Sequence, residues 1–262
     1  MRQTIPCLAA ALALAALAFS TAPARAGIAL SEAGQPAAAP AAGQGPNIGD
    51  GRSTVTEAAQ ALERIALATR LADDARTAMS PIGLAAAADI FREVAVPAQA
   101  RQKATECADG TASAEPAAEP AAATDPAASS YAPERLYAEA AELARTQSNE
   151  PLAAIIEAQA KAERTRQSAR GGTEHHDRVR GNYTDVYTIT FRGHERALAM
   201  AVADGYQDID LVVKDENGNT VASDRDSTHV GLCEWTPSWT GDFKLRVINT
   251  TAQGVDYTLY TN

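Results

Sequence analysis

Apolar residues recur at every second position through the last third of the chain. The runs are Tyr187, Ile189, Phe191; Leu198, Met200, Val202; Ile209, Leu211, Val213; Phe243, Leu245, Val247; and Val255, Tyr257, Leu259. Period two sends alternate side chains to opposite faces of a strand, so each run can bury one face while Thr, Lys, Arg and Asp meet water. Turn-forming residues separate the runs, which predicts an antiparallel β-sandwich or jelly-roll-like domain over 177–262. Asp215-Glu216-Asn217-Gly218-Asn219 is the sharpest turn signal, because Asn-Gly accepts the positive φ of a tight hairpin. Strand parity further places Phe243, Leu245 and Val247 in the core and Lys244 and Arg246 in water.

Upstream the period lengthens to 3.6. Val55, Ala58, Leu62, Ile65, Thr69 and Ala72 follow a capping-box candidate at Thr54-Val55-Thr56-Glu57. Ser80 and Pro81 suit the N-cap and first position of a second helix, with Ile82, Ala86, Ile90 and Val94 as its stripe. Pro97 or the 107–110 region ends it. Pro133-Glu134 opens a third helix carrying Leu136, Ala140 and Leu143, and Asn149-Glu150-Pro151 breaks it before Leu152, Ile155, Ile156 and Gln159. The two helix–Pro–helix units are either a degenerate duplication or two hairpins alike only in composition. Neither has much core alone, so a four-helix arrangement is the economical packing, and alanine limits the area it buries.

The expectation is an α+β multidomain chain: signal peptide 1–26, disordered lead 27–52, helical pair 53–106, Ala/Pro-rich linker 107–133, second helical pair 134–170, hinge 171–176 and β domain 177–262. The linker holds too few large apolar residues to fold. Strands are expected only after about residue 177 and helices only between about 53 and 170.

The N-terminus sets the expected compartment. Arg2, the apolar run from Cys7 to Phe19 and Ala24-Arg25-Ala26 fit a secretory signal with a small-x-small cleavage site. The run is shorter than the roughly 20 apolar residues a spanning helix needs. A secreted or periplasmic protein with no membrane span after signal removal is expected. Loss of 1–26 removes Arg2 and Arg25 and no acid, leaving 21 basic against 33 acidic side chains. That balance argues against nucleic acid or an anionic membrane as partner, since both call for a positive footprint. Cys107 and Cys233 could form a disulfide in an oxidising compartment; alternatively Cys233, in phase with Trp235, is a small core residue.

Candidate chemistry is sparse. The four histidines are His175, His176, His194 and His229, and no Gly-x-Ser-x-Gly, His-Glu-x-x-His or phosphate-cradling glycine loop occurs. Glu174-His175-His176-Asp177 is a solvated linker or, alternatively, a zinc site, though adjacent side chains diverge. Asp208, Asp210, Asp224 and Asp226 read as polar strand and turn residues, with a calcium site as the alternative and no other cofactor expected. Among Trp235, Trp239, Tyr206 and Tyr260, Trp235 is expected in the core, and Trp239 and Tyr206 could present a binding surface.

Six segments in order carry a resemblance. Asp185-Val186-Tyr187-Thr188-Ile189, Asp208-Ile209-Asp210-Leu211, Asp215–Asn219, Trp235-Thr236-Pro237, Thr240-Gly241-Asp242-Phe243 and Asp256-Tyr257-Thr258-Leu259 together resemble the bacterial pre-peptidase C-terminal domain. The resemblance covers about the last third of the chain and implies a β-sandwich appendage of secreted peptidases that is not itself an enzyme. No peptidase motif stands before it here. The expected function is therefore an exported, non-enzymatic accessory or binding protein whose sandwich contacts a protein or glycan outside the cytoplasm. The alternatives are a secreted hydrolase or peptidase-associated factor with unrecognised catalytic groups, and an envelope component that self-associates through its helices.

Overall fold

The computed structural model describes residues 45–107, 129–162, 167–168 and 172–262. The signal sequence, the lead up to residue 44 and linker residues 108–128 lie outside the described residues. In chain order the elements are α1 (Glu57–Thr77), α2 (Pro81–Glu93), β1 (Val94–Ala95), β2 (Ala104–Cys107), α3 (Pro133–Thr146), α4 (Glu150–Lys161), β3 (Gln167–Ser168), β4 (Thr173–Val179), β5 (Tyr183–Phe191), β6 (Ala197–Ala203), β7 (Asp210–Lys214), β8 (Thr220–Asp224), β9 (Val230–Trp235), β10 (Gly241–Asn249) and β11 (Val255–Thr261).

Helix starts follow side-chain chemistry. Thr56, not Thr54, caps α1 by accepting from Ala59 N at 3.1 Å. Thr54 is instead held extended, exchanging backbone bonds with His194 and Arg196. Ser80 caps α2 with Pro81 behind it, as expected, and Asn149, expected only to break the chain's helix, caps α4. Both helix pairs turn alike. Met79 and Ser148 take positive φ, and Ser80 N and Asn149 N reach back to Ala75 O and Ala144 O, five residues earlier in each case. The identical Ala-Arg-Thr at 75–77 and 144–146 ends the first helix of each unit. The stripe on α2 is corrected: Leu84, Ala85, Ala87 and Ala88 are buried, whereas Ile82 faces solvent.

Two antiparallel sheets make up the β-rich part. One runs β2-β5-β10-β7-β8 and the other β4-β11-β6-β9; β1 and β3 form a short parallel pair. Inward side chains of both sheets share one core of Tyr187, Leu211, Leu245, Tyr257, Trp235 and their neighbours. At the β7–β8 hairpin, Gly218 takes φ +84°, the value Asn-Gly was expected to supply. Two boundaries are corrected. β1 and β2 lie within the stretch assigned to helices, β2 joining the large sheet as an edge strand on β5. The assigned hinge is the start of β4, because Glu174-His175-His176-Asp177 alternates between two buried surfaces, so that polar residues concealed a strand's period.

The helices do not close into a self-contained four-helix arrangement. Each packs on the next in chain order, and α1 also touches β6. Their apolar faces form one cluster with Leu198, Met200, Val202 and Tyr260, the outer face of the four-stranded sheet. β6 therefore points Ala199, Ala201 and Ala203 at the other sheet and its larger side chains at the helices, the reverse of the expected parity. In β10 the expected inward residues and exposed Lys244 are found, while Arg246, expected in water, is covered and paired with Glu106 of β2; the first two give a clean test. Leu245→Ala should cost about 2–5 kcal/mol in denaturant unfolding, while exposed Lys244→Ala stays within about 0.5 kcal/mol of wild type. Equal losses would mean the register is wrong.

Residues 45–52 are part of the fold rather than lead. Fully buried Asn47 donates its N–H to Asp215 Oδ2 at 2.9 Å, and its Oδ1 accepts from Ser238 N and Trp239 N at 2.9 and 3.1 Å. Asp215 also accepts from Asn217 N and Asn219 N. Burial acts to raise the Asp215 pKa, but bonds from Asn219, Asn47 and Asn217 outweigh it and hold the carboxyl below its ordinary value. The folded state thus binds fewer protons at this site, so its stabilisation is full above the ordinary aspartate range and fades as pH falls below about 4. Asp215→Asn should lower stability at neutral pH and flatten the acid limb of a Tm-versus-pH curve. An unchanged acid limb would remove Asp215 from that account.

Candidate functional site

Alternation in β4 sorts the Glu174–Asp177 cluster into two places. His175 and Asp177 face the core between the sheets, and Glu174 and His176 face the helices. There they meet a cleft of about 250 Å³ between the helical layer and the four-stranded sheet. Ile65, Phe91, Val94, Val96 and Tyr260 give it an apolar wall, and Arg92, Glu134, Glu174 and His176 give it polar corners. His176 Nδ1 is 3.0 Å from Thr258 Oγ1, which orients the ring, and Nε2 stands 3.6 Å from Glu174 Oε1, beyond hydrogen-bond reach. His176 Nε2 and Arg92 Nε are both buried and without a hydrogen-bond partner.

Arg92 is fixed by its other nitrogens. They reach the carbonyls of Gln159 and Ala160 at 3.0 and 2.9 Å, Tyr137 OH at 2.6 Å and Asp89 at 3.3 Å. A preset guanidinium edge with a free N–H beside an apolar wall is suited to a ligand oxygen.

A second polar cluster locks the segment before α3 to α1 and β9. Tyr131 OH donates to Asp73 at 2.7 Å and lies 2.7 Å from His229 Nε2. Arg76 forks onto Glu139 and donates to Ser130 O at 2.8 Å, with its guanidinium over the Tyr131 ring. Tyr206, 54% exposed and at positive φ, stands edge-on to His229. Ser129 and Ser130 both bond Asp204.

The third cluster is the most buried. Lys103, just before β2, reaches between the sheets to Asp177 and Asp185, with His175, Tyr187 and Tyr257 around them. Burial raises the Asp185 pKa against the pull of Lys103. Burial also acts to raise Asp177, but bonds from His175, Lys103 and the Arg178 N–H hold it well below the carboxylate range.

The other sequence-derived candidates are dispersed. Trp239 is half-buried, its indole N–H on Glu216 at 2.5 Å and its backbone carbonyl accepting from Asn47 Nδ2 at 3.1 Å. Trp235 is in the core as expected, while Tyr260 is buried under the helices and unavailable as a surface. The Cys107–Cys233 bridge is corrected. Cys233 is a free thiol on the inner face of β9, its pKa pushed up to about 12 by burial.

Asp208, Asp210, Asp224 and Asp226 gather at the open end of the β7–β8 pair. Burial raises the Asp210 pKa, and the charges of Asp208, Asp224 and Asp226 add to it against Arg225. Asp224 accepts from Leu232 N at 2.9 Å and Asp226 from Thr228 Oγ1 at 2.5 Å. Among the described residues no three His, Cys, Asp or Glu are placed to hold a metal ion. Because folding raises the Asp210 pKa, its charge opposes folding at neutral pH. Asp210→Asn should therefore raise Tm, and excess chelator should move the wild-type Tm by less than about 2 °C. A calcium site would reverse both results.

Among the described residues no helix is long and apolar enough to cross a membrane. Comparison with protein-family models and with curated proteins finds no match for this chain.

Proposed function

We propose that this chain is an exported, non-enzymatic binding protein whose β-rich part is a sandwich of the pre-peptidase C-terminal kind. Its ligand site is the cleft under the helices, not a Trp239–Tyr206 surface. The observation that carries this is the pair of buried, unpartnered polar atoms, His176 Nε2 and Arg92 Nε, at the edge of one apolar cleft. Buried polar groups are nearly always paired, and two exceptions on residues that line one cleft support a ligand there. Cleft size and lining favour a small molecule with an apolar body and an oxygen acceptor, of the carboxylic acid, ester or alcohol class.

Saturation-transfer NMR with a set of small aromatic and aliphatic acids and alcohols tests the reading. Compounds that bind should compete with one another, weaken in His176→Ala and vanish when Val96→Trp fills the cleft. No binding by any of them, or binding retained in Val96→Trp, would sink it. The hydrolase alternative draws on the same corner, where Glu174 and His176 face Glu134. Turnover of casein or model glycosides abolished by His176→Ala would favour it instead.

A further inference from the structure

We propose that Lys103 and Asp185 become joined by an intramolecular amide that staples the segment before β2 to the core of β5. The three reacting groups are already assembled. Lys103 Nζ lies 2.8 Å from Asp185 Oδ2 and 2.7 Å from Asp177 Oδ1, its third hydrogen directed at Arg178 O at 2.9 Å. The Asp177 and Asp185 side chains are 6% and 1% exposed, so the pair sits where water has little access. Tyr257 OH donates to Asp185 Oδ2 at 3.0 Å, and Thr105 Oγ1 lies 3.3 Å from Oδ1.

Two carboxyl groups and one ammonium cannot all stay charged at low cost inside a protein, and the surroundings divide their roles. Asp177 is held as the carboxylate by Lys103, Tyr187 OH, His175 and the Arg178 N–H. Asp185, pushed toward its neutral acid by burial, is the electrophilic member. The Lys103 ammonium gives one proton to Asp177 Oδ1, and the freed nitrogen lone pair attacks Cγ of Asp185. As the C–N bond forms, Oδ2 departs with its own proton and a second proton from Nζ as one water. Oδ1 remains as the amide carbonyl beside Thr105. The proton left on Asp177 can pass to His175 Nε2, 3.2 Å from its other oxygen. Nothing is oxidised or reduced, and no co-reactant is needed. Fixed contact supplies the driving geometry, since well-oriented intramolecular reactions reach effective molarities of roughly 10⁵–10⁸ M.

Mass spectrometry of the full exported chain tests this directly. The wild type should be lighter than its sequence by the mass of one water. After reduction and trypsin, peptide 102–135 should appear joined to peptide 181–192, with no cleavage at Lys103. Lys103→Arg should return to full mass. Asp177→Asn should do the same while keeping the wild-type circular dichroism spectrum, because it removes the proton acceptor and not the fold. A wild-type protein at full mass that yields a free 104–135 peptide contains only an ion pair, and that result overturns the proposal without needing any variant to fold. A link to peptide 171–178, which carries Asp177, would overturn the assignment of the electrophile.

Discussion

Met200→Lys is expected to cost more than about 4 kcal/mol and to free the helical layer from the sheet. Met200 stands in the middle of β6, fully buried, between Leu198 and Val202 on the face that the helices cover. An ammonium there would be set among Leu62, Ile65, Ala66, Leu84, Tyr131 and similar side chains. The sheet cannot turn the residue away, because its opposite face is packed just as tightly against the five-stranded sheet. Thr188→Lys, on the exposed face of β5, is the control and should be close to neutral. Denaturant unfolding followed by limited proteolysis separates the outcomes. Met200→Lys should open first between residues 57 and 161. Wild-type protease resistance in that variant would show that the helices hold together without the sheet. For the same reason residues 177–262 expressed alone should expose Leu198, Met200, Val202 and Tyr260 and self-associate.

That dependence shows where the sequence was readable and where it was not. Period two located β5, β7, β10 and β11 with their inward residues, since polar side chains interrupt the outward positions of each, at Thr188, Asp210, Lys244 and Thr258 for example. β6 defeated the rule. Ala197-Leu198-Ala199-Met200-Ala201-Val202-Ala203 is apolar at every position, the mark of a strand buried on both faces, and choosing the larger side chains as inward reversed it. β4 failed the opposite way. Its core-facing polar residues are His175 and Asp177, and the lysine that pairs with Asp177 lies 74 positions earlier, so the run resembled a hinge. Residue-type arguments cannot foresee a lysine at 103 reaching an acid 82 positions later.

The candidate site was half legible for the same reason. The Glu174–Asp177 cluster was singled out, and the divergence of adjacent side chains was anticipated. What lay beyond local pattern was the helical wall opposite His176, built from Ile65, Phe91 and Arg92 in elements that appeared to be a separate unit. The signal that could have found it is the buried outer face of β6, because a sheet buried on both sides needs a second layer.

Arg92→Ala is the second large effect, expected at about 3–5 kcal/mol, the usual loss when one partner of a buried charge pair is removed. Its guanidinium ties three helices together. It pairs with Asp89 on its own helix, donates to Tyr137 OH on α3, and donates to the last carbonyls of α4 at Gln159 and Ala160. The Arg92 and Asp89 side chains are 10% and 20% exposed, so truncation removes the cation from a partly buried carboxylate, which keeps only the neutral donors Tyr137 OH and Gln159 Nε2 among its named partners. It also leaves two carbonyls with little water to replace the lost donors. Arg92→Lys should recover part of the loss, because an ammonium keeps the charge but cannot fork across Tyr137 and two carbonyls. Arg64 provides the contrast. Its pair with Glu93 is short, at 2.8 Å, but both side chains are more than 40% exposed, so Arg64→Ala should cost no more than about 1 kcal/mol. Chemical unfolding of the three variants in one buffer decides the matter. Comparable losses at Arg64 and Arg92 would show that the distance of a charged contact, and not its burial and its several acceptors, governs the stability of the helical layer.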